Sequence, residues 1–357
     1  MYMQTDSAQI QIQQMLTTTP PTFSMAEALQ IAVSHYSIKA TAKPLVSERD
    51  QNFQLSTSDG TRFTLKISNP AEKFGVIDFQ NRALIHVAEH NASIPSPRVI
   101  STINGQLHCQ VQHNGKNHFV RLLSWLDGEL LHESKIDIEL SYKLGSLLAT
   151  LDAALLDFDH PDSNPPSLWD MKRAAGLRDL LIHIDEPELK HLITKTLDQF
   201  DSNIKPQLDT LRSQVIHNDM NRGNVLLDES DPTIISGIID FGDMAKSPLI
   251  IDLAIAASYQ LAEGDDPLAG VLPLIAGYNA VTPLLESELR LLTDLIRTRL
   301  ITSLLISSCR VKLFPENTEY LMTSHASARR YLKNLESLNN ETAYLRITDY
   351  LATYQAS

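Results

Sequence analysis

Cysteine is scarce in this chain: it occurs twice in 357 residues, at Cys109 and Cys309. Two thiols so far apart in sequence make no disulfide framework and fit a reducing compartment. An excess of base is also missing. Lys plus Arg number 30 against 43 Asp plus Glu, a formal charge of −13, which is the wrong sign for neutralising nucleic-acid phosphates. No nucleic acid partner is therefore expected. The longest apolar stretch, residues 248–259, is interrupted by Asp252 and is too short to span a bilayer, so no membrane partner is expected either. The first residues, MYMQTDSAQIQIQQMLTTTPPTF, lack a cationic stretch followed by an apolar core and do not read as a secretory signal. A soluble, cytoplasmic protein is the expectation. With 43% hydrophobic and 20% charged residues the composition is that of a folded protein, and the length suggests two packed units.

Residues 1–22, rich in Gln and Thr and ending in Pro20-Pro21, read as a loosely held leader. Ser24-Met25-Ala26-Glu27 has the form of a capping box, predicting a helix to about Tyr36. Phe53 and Leu55 alternate with polar residues, Asp59-Gly60 is a hairpin turn, and Phe63, Leu65 and Ile67 alternate with Arg62, Thr64 and Lys66. This puts Lys66 opposite the apolar face. A helix is expected over 76–90, and Asn104-Gly105 and Asn114-Gly115 read as two further hairpin turns. Residues 23–123 thus form an antiparallel sheet with one inserted helix, 124–128 a connector, and 129–357 a mainly helical lobe with 3.6-residue periodicity at 136–156, 187–200, 284–308 and 319–335. His108, His113 and His118 recur every five residues, but no cysteine or carboxylate set completes a metal site, so they are read as surface groups. Trp169 and Asp170, after a Pro-rich stretch, are candidates to line an acceptor pocket, with core packing the default for Trp169.

The strongest motif is His217-Asn218-Asp219-Met220-Asn221-Arg222-Gly223-Asn224, followed after a strand-like run by Asp240-Phe241-Gly242-Asp243. His, Asp two on, Asn five further and then Asp-Phe-Gly is the spacing of phosphoryl-transfer catalytic loops. Such a reaction positions an acceptor hydroxyl and holds divalent metal against phosphate oxygens. On that template Asp219 takes the hydroxyl's proton, Asn224 and Asp240 offer hard oxygens suited to Mg²⁺, and His217 braces the loop. Acidic loop residues in isolation usually just cap turns; four residue types falling at the expected places argue otherwise. Lys66 is the expected partner of the ATP α- and β-phosphates, with Gln80 or Asp78 standing in for the usual helix Glu. The turn at 47–53 contains no glycine, so Arg49, Asn52 or backbone N–H groups would have to cover the phosphates. Ser124, Trp125 and Leu126 at the connector are placed to meet adenine. Between Gly242 and Ser247-Pro248 there is no room for an activation segment, so no protein substrate is expected.

These residues resemble the aminoglycoside phosphotransferase and choline kinase superfamily, and within it the hydroxylysine kinase branch. Val120-Arg121-Leu122-Leu123, Gly237 to Met244 and Ile251-Asp252-Leu253-Ala254-Ile255-Ala256 carry that likeness. Type II homoserine kinases are similar relatives. The resemblance implies an α+β, protein-kinase-like two-lobed fold, use of ATP and Mg²⁺, and a small hydroxylated acceptor such as a hydroxy amino acid or amino alcohol. An aminoglycoside-modifying enzyme and a catalytically weak nucleotide-binding regulatory module are the rival readings. Two departures stand out: Asn218 where many relatives have Gly, and Gln80 where many have Glu.

Overall fold

The computed structural model describes residues 19–47, 49–315 and 318–355; most of the expected leader, residues 1–18, lies outside the described residues. Helix α1 (Met25–Tyr36) starts at the expected capping box. Ser24 Oγ accepts from the Glu27 N–H at 3.3 Å, and the Ser24 N–H donates to Glu27 Oε2 at 2.8 Å. Strands β1 (Ala40–Leu45), β2 (Gln51–Thr57), β3 (Arg62–Ile67), β4 (Val99–Ile100), β5 (Cys109–His113) and β6 (Lys116–Ser124) form one antiparallel sheet. Its order is β1-β2-β3-β6-β4, with β5 also on β6. Asn114 and Gly115, at φ 51° and 73°, close the β5–β6 hairpin as a type I′ turn does. The Asn104-Gly105 turn behaves differently from expectation. β4 pairs with Leu122 and Leu123 of β6 while β5 pairs with Lys116 to Val120, so the two strands lie end to end along one edge and form no hairpin.

Alternation sorts the two faces of this sheet. Phe53, Leu55, Leu65, Ile67, Val120 and Leu122 pack against Ala28, Ile31, Ala32 and Tyr36 of α1. Asn52, Lys66 and Arg121 are direct cross-strand neighbours, so they stand together on the other face. Helix α2 (Phe74–His90) runs along that side, and its Phe79, Ala83, Leu84 and Val87 belong to the core of the helical part. The histidines read as surface groups are packed instead. His113 stacks on Phe23 with ring centroids 4.1 Å apart, and buried His118 bonds the Ser68 carbonyl at 3.0 Å.

Beyond Ser124 come β7 (Glu129–Leu130), α3 (Ile138–Ala154), a 3₁₀ segment (Met171–His183) and α4 (Pro187–Gln199). Short strands β8 (Ser213–Ile216), β9 (Val225–Leu227), β10 (Ile235–Ile238) and β11 (Ala245–Pro248) follow, then α5 (Leu249–Ser258), α6 (Leu272–Val281), α7 (Glu286–Leu313), α8 (His325–Asn334) and α9 (Asn340–Gln355). Every residue of α5 is buried, which explains its near-continuous apolar composition. The segment expected as one helix over 319–335 breaks after Leu321, where the Thr323 hydroxyl donates back to the Glu319 carbonyl at 3.2 Å. Among the described residues no helix is long and apolar enough to cross a membrane.

Helices α3 and α6 cross at two glycines. A Cβ at Gly145 would land on the Leu274 carbonyl, and one at Gly277 on the Tyr142 carbonyl. Gly145→Ala is therefore expected to lower the unfolding free energy by about 1–3 kcal/mol through overpacking. Urea denaturation checks this; an unchanged midpoint would show that the helices can part freely.

Candidate active site

The loop after β8 is held from below by α5. Asp252 accepts the His217 N–H on Oδ2 at 2.9 Å and the Asn218 N–H on Oδ1 at 2.8 Å. Asn218 sits at φ 65°, a left-handed conformation in which asparagine is, after glycine, among the best tolerated residues. That accounts for its replacing glycine. Its Nδ2 also donates to the Asp243 carbonyl at 2.9 Å, tying this loop to the next. Both ring nitrogens of buried His217 are spent inside the protein: Nδ1 accepts the Asp219 N–H at 3.3 Å and Nε2 donates to the Ile239 carbonyl at 3.2 Å. The ring meets Phe241 edge-on with centroids 4.7 Å apart. His217 thus braces the loop.

Behind Asp252 lies a second buried carboxyl, Asp152, which accepts from Tyr278 Oη at 2.6 Å. Burial, and then the Asp252 charge, push Asp152 well above the usual carboxylate range, and Asp252 is raised beside it, so the pair holds a proton between them. Unfolded aspartate ionises near pH 4. Above that, the folded chain holds a proton that the unfolded chain has released, so stability falls as pH rises towards the folded value. The slope is about 1.4 kcal/mol per pH unit for one proton. Asp152→Asn keeps a donor facing Asp252 without needing a proton. It is expected to flatten the decline in unfolding free energy between pH 5 and pH 8; an unaltered slope would show that the pair holds no such proton.

Asp219 is engaged on both oxygens. Oδ1 accepts from Arg299 Nη2 at 2.7 Å; Oδ2 accepts from Asn221 Nδ2 at 3.1 Å and Asn224 Nδ2 at 2.9 Å. Burial pushes its carboxyl up to about 7, against the pull of Arg299 and with the help of Asp243 and Asp240. Asn224 turns its amide nitrogen to Asp219, which leaves Oδ1 for a cation. Its carbonyl accepts the Ile239 N–H at 2.9 Å, which draws the residue before Asp240 to this loop. Asp240, at φ 59°, pairs through Oδ1 with Lys66 Nζ at 3.2 Å, and the lysine charge holds its carboxyl down to about 2. The structure therefore brings Lys66, Asp219, Asn224 and Asp240 to one cleft. Hard oxygens from Asn224 and Asp240, within electrostatic reach of the Asp219 carboxylate, fit a divalent cation such as Mg²⁺.

Around Lys66 the partners differ from expectation. Gln80 receives a hydrogen bond from Arg121 Nη2 and donates to the Gly242 carbonyl at 2.9 Å, while Asp78 bonds Arg82 and His160. Neither clamps Lys66, whose charge is met by Asp240. The reason lies in the sheet: Arg121, the register neighbour of Lys66 on β6, is buried and takes the helix side chain for itself. Asn52, the neighbour on β2, has a buried Oδ1 without a hydrogen-bond partner. Arg49 reaches from the β1–β2 turn to Asp243 Oδ1 at 3.0 Å, which Ser167 Oγ also contacts at 3.1 Å. At the connector the Ser124 N–H donates to the Arg98 carbonyl at 2.8 Å and the Trp125 N–H to the Arg62 carbonyl at 3.2 Å. Those two donors are therefore taken, and Leu126 lies beside Gly237.

Two residues central to this geometry escaped the sequence reading, Arg121 and Arg299. Trp169 packs half-buried against the main hydrophobic core, as expected, and also carries Arg299 over its ring at 4.8 Å.

A catalytic loop backed by a buried carboxylate, facing a strand lysine across a cleft, is the build of a phosphotransferase. The chain belongs to the phosphotransferase enzyme family, whose model matches residues 41–283, and it is a small-molecule kinase in class. It is similar to a hydroxylysine kinase of Danio rerio, 29% identical over 334 residues spanning 90% of this chain and 94% of that one. A hydroxylysine kinase of Mus musculus is 27% identical over 339 residues, 88% of this chain and 90% of the other. Among solved structures, an amicoumacin kinase in complex with AMP-PNP and Ca²⁺ has a TM-score of 0.68 at 14% identity, covering 89% of this chain and 97% of that one. A microcompartment-associated aminopropanol kinase has a TM-score of 0.61 at 18% identity, covering 87% and 98%. At such identities the likeness is one of fold, the kinase-like two-lobed architecture.

Proposed function

We propose that the protein transfers the γ-phosphoryl group of ATP, with Mg²⁺, to the hydroxyl of a small hydroxy amino acid, 5-hydroxylysine first and homoserine next. What carries the choice is likeness to hydroxylysine kinases over about nine-tenths of the chain, together with Asp219 seated beside a buried arginine. The division of labour follows the two lobes, residues 23–123 receiving the nucleotide and 129–357 the acceptor, with 124–128 between. Lys66 and its neighbour Arg121 meet the phosphates; Arg49 and Asn52 close over them; the adenine lies against the connector at 124–126. Gln80 acts through Arg121. Asn224 and Asp240 would hold the Mg²⁺, which neutralises charge on the phosphate oxygens. The acceptor oxygen bonds to the γ-phosphorus as the bond to the β–γ bridging oxygen breaks, ADP departs, and the hydroxyl proton passes to Asp219.

A coupled ADP-release screen of the purified chain with Mg-ATP tests this. Hydroxylysine, homoserine, choline, ethanolamine and aminoglycosides are the acceptors to compare. Hydroxylysine is expected to give the highest kcat/KM; a response confined to aminoglycosides would overturn the substrate assignment, and ATP binding without turnover of any acceptor would overturn the enzymatic one.

A further inference from the structure

Arg299 lies in the middle of α7, 1% exposed, and is one of the largest side chains wholly inside the protein. Its Nη2 bonds Asp219 at 2.7 Å and Tyr259 Oη at 3.1 Å, and its guanidinium lies over the Trp169 ring. Its Nε and Nη1 are buried with no hydrogen-bond partner. Aromatic faces attract the charge but are weak acceptors for N–H groups, so those donors carry the cost of lost hydration. Two residues away, on the same helix, Arg297 shows the opposite case. It bonds Asp294 at 2.7 Å, Asn340 at 2.6 Å and the carbonyls of Leu335 and Leu338. Four acceptors serve the two Nη groups of Arg297, whereas Arg299 keeps both Nε and Nη1 without one.

The reaction sharpens the contrast. When Asp219 takes the acceptor's proton it becomes neutral, and the buried Arg299 loses the carboxylate charge that faced it. A second anion beside the guanidinium removes that penalty. We propose that Arg299 forms a carboxylate-binding subsite, so that the acceptor is a short hydroxy acid whose carboxylate meets the spare donors while its hydroxyl meets Asp219. The proposal rests on the small-molecule kinase reading with Asp219 at the acceptor hydroxyl. Both ends of the substrate are gripped around one guanidinium, so hydroxyl and carboxylate must be separated by only a few carbons. Polycationic acceptors without a carboxylate would set ammonium groups against a buried arginine and are disfavoured.

The test compares 5-hydroxylysine with its carboxamide, which removes the negative charge and little else, and homoserine with homoserinamide, on the full chain with Mg-ATP. Wild type is expected to favour each acid over its amide on the order of 10²-fold in kcat/KM, as sites with buried polar groups reject analogues that leave them unpaired. Arg299→Lys is expected to collapse that ratio to a few-fold, mostly through KM for the acid. Equal use of acid and amide by wild type overturns the subsite and leaves the kinase reading standing. Retention of the preference in Arg299→Lys overturns it too, since the carboxylate would then be read elsewhere. If neither acid is phosphorylated while a carboxylate-free alcohol is, the substrate reading and the subsite fall together. The wild-type comparison decides the matter even if the variant does not fold.

Discussion

Asp219→Ala is expected to lower kcat by on the order of 10²-fold or more, the usual consequence of removing a general base, while ATP binding persists. The two halves of this expectation have separate structural grounds. Asp219 is reached by Arg299, Asn221 and Asn224, all on the helical side of the cleft. Lys66, Arg121 and Asn52 sit on the opposing sheet and do not depend on it. Alanine also strips Arg299 of its counter-charge, so some loss of stability accompanies the loss of rate. Asp219→Asn separates the effects, because a side-chain oxygen still faces Arg299 while the proton acceptor is gone. Steady-state turnover and calorimetric titration with ATP on both variants provide the check. Turnover at the wild-type level in the asparagine variant would end the assignment of Asp219 as base.

The parts of this site that were legible in the sequence are those whose geometry is local. His217, Asp219 and Asn224 announce themselves because a tight loop fixes their mutual positions within a few residues, and Asp240 because it follows directly on the end of an apolar strand; the Ile239 N–H bond to the Asn224 carbonyl joins the two loops. The Ser24–Glu27 capping box and the Asn114-Gly115 turn are legible for the same reason. Arg299 was not, because it meets Asp219 across 80 residues of chain, and a helical arginine read alone is a solvated one. A clue existed in its surroundings. Helix α7 is buried on nearly every side, at Leu292, Ile296, Leu300 and Leu304 but also at Thr293, Thr298 and Thr302, and a charge inside such a helix requires a partner. Arg121 carries the same lesson in a strand, with Val120 and Leu122 on the α1 face and the guanidinium turned to the cleft. The Gln80 partner was misjudged because helix and sheet meet through whichever cation is nearer, which sequence spacing does not encode. The Asn104-Gly105 turn misled because turn chemistry states that the chain reverses, not which strand it then pairs with.

Asp252→Ala is expected to cost about 3–5 kcal/mol of unfolding free energy, the scale seen when one partner of a buried charged network is removed. The figure follows from what is left behind. Two consecutive backbone N–H groups, those of His217 and Asn218, lose their acceptors in a site where both residues are fully buried, and each orphaned donor costs about 1–3 kcal/mol. Asp152 loses its neighbour at the same stroke. The effect on rate runs through position. Asp219 follows directly after the clasped pair, and a displacement of about 1 Å at a catalytic group costs on the order of 10²-fold. Asp252→Asn is the graded control, since its Oδ1 still accepts one N–H while its NH₂ faces the other. The order wild type, asparagine, alanine is expected in both denaturation midpoint and kcat. A stable alanine variant with normal turnover would show that the loop keeps its shape through the His217–Ile239 and Asn218–Asp243 bonds alone.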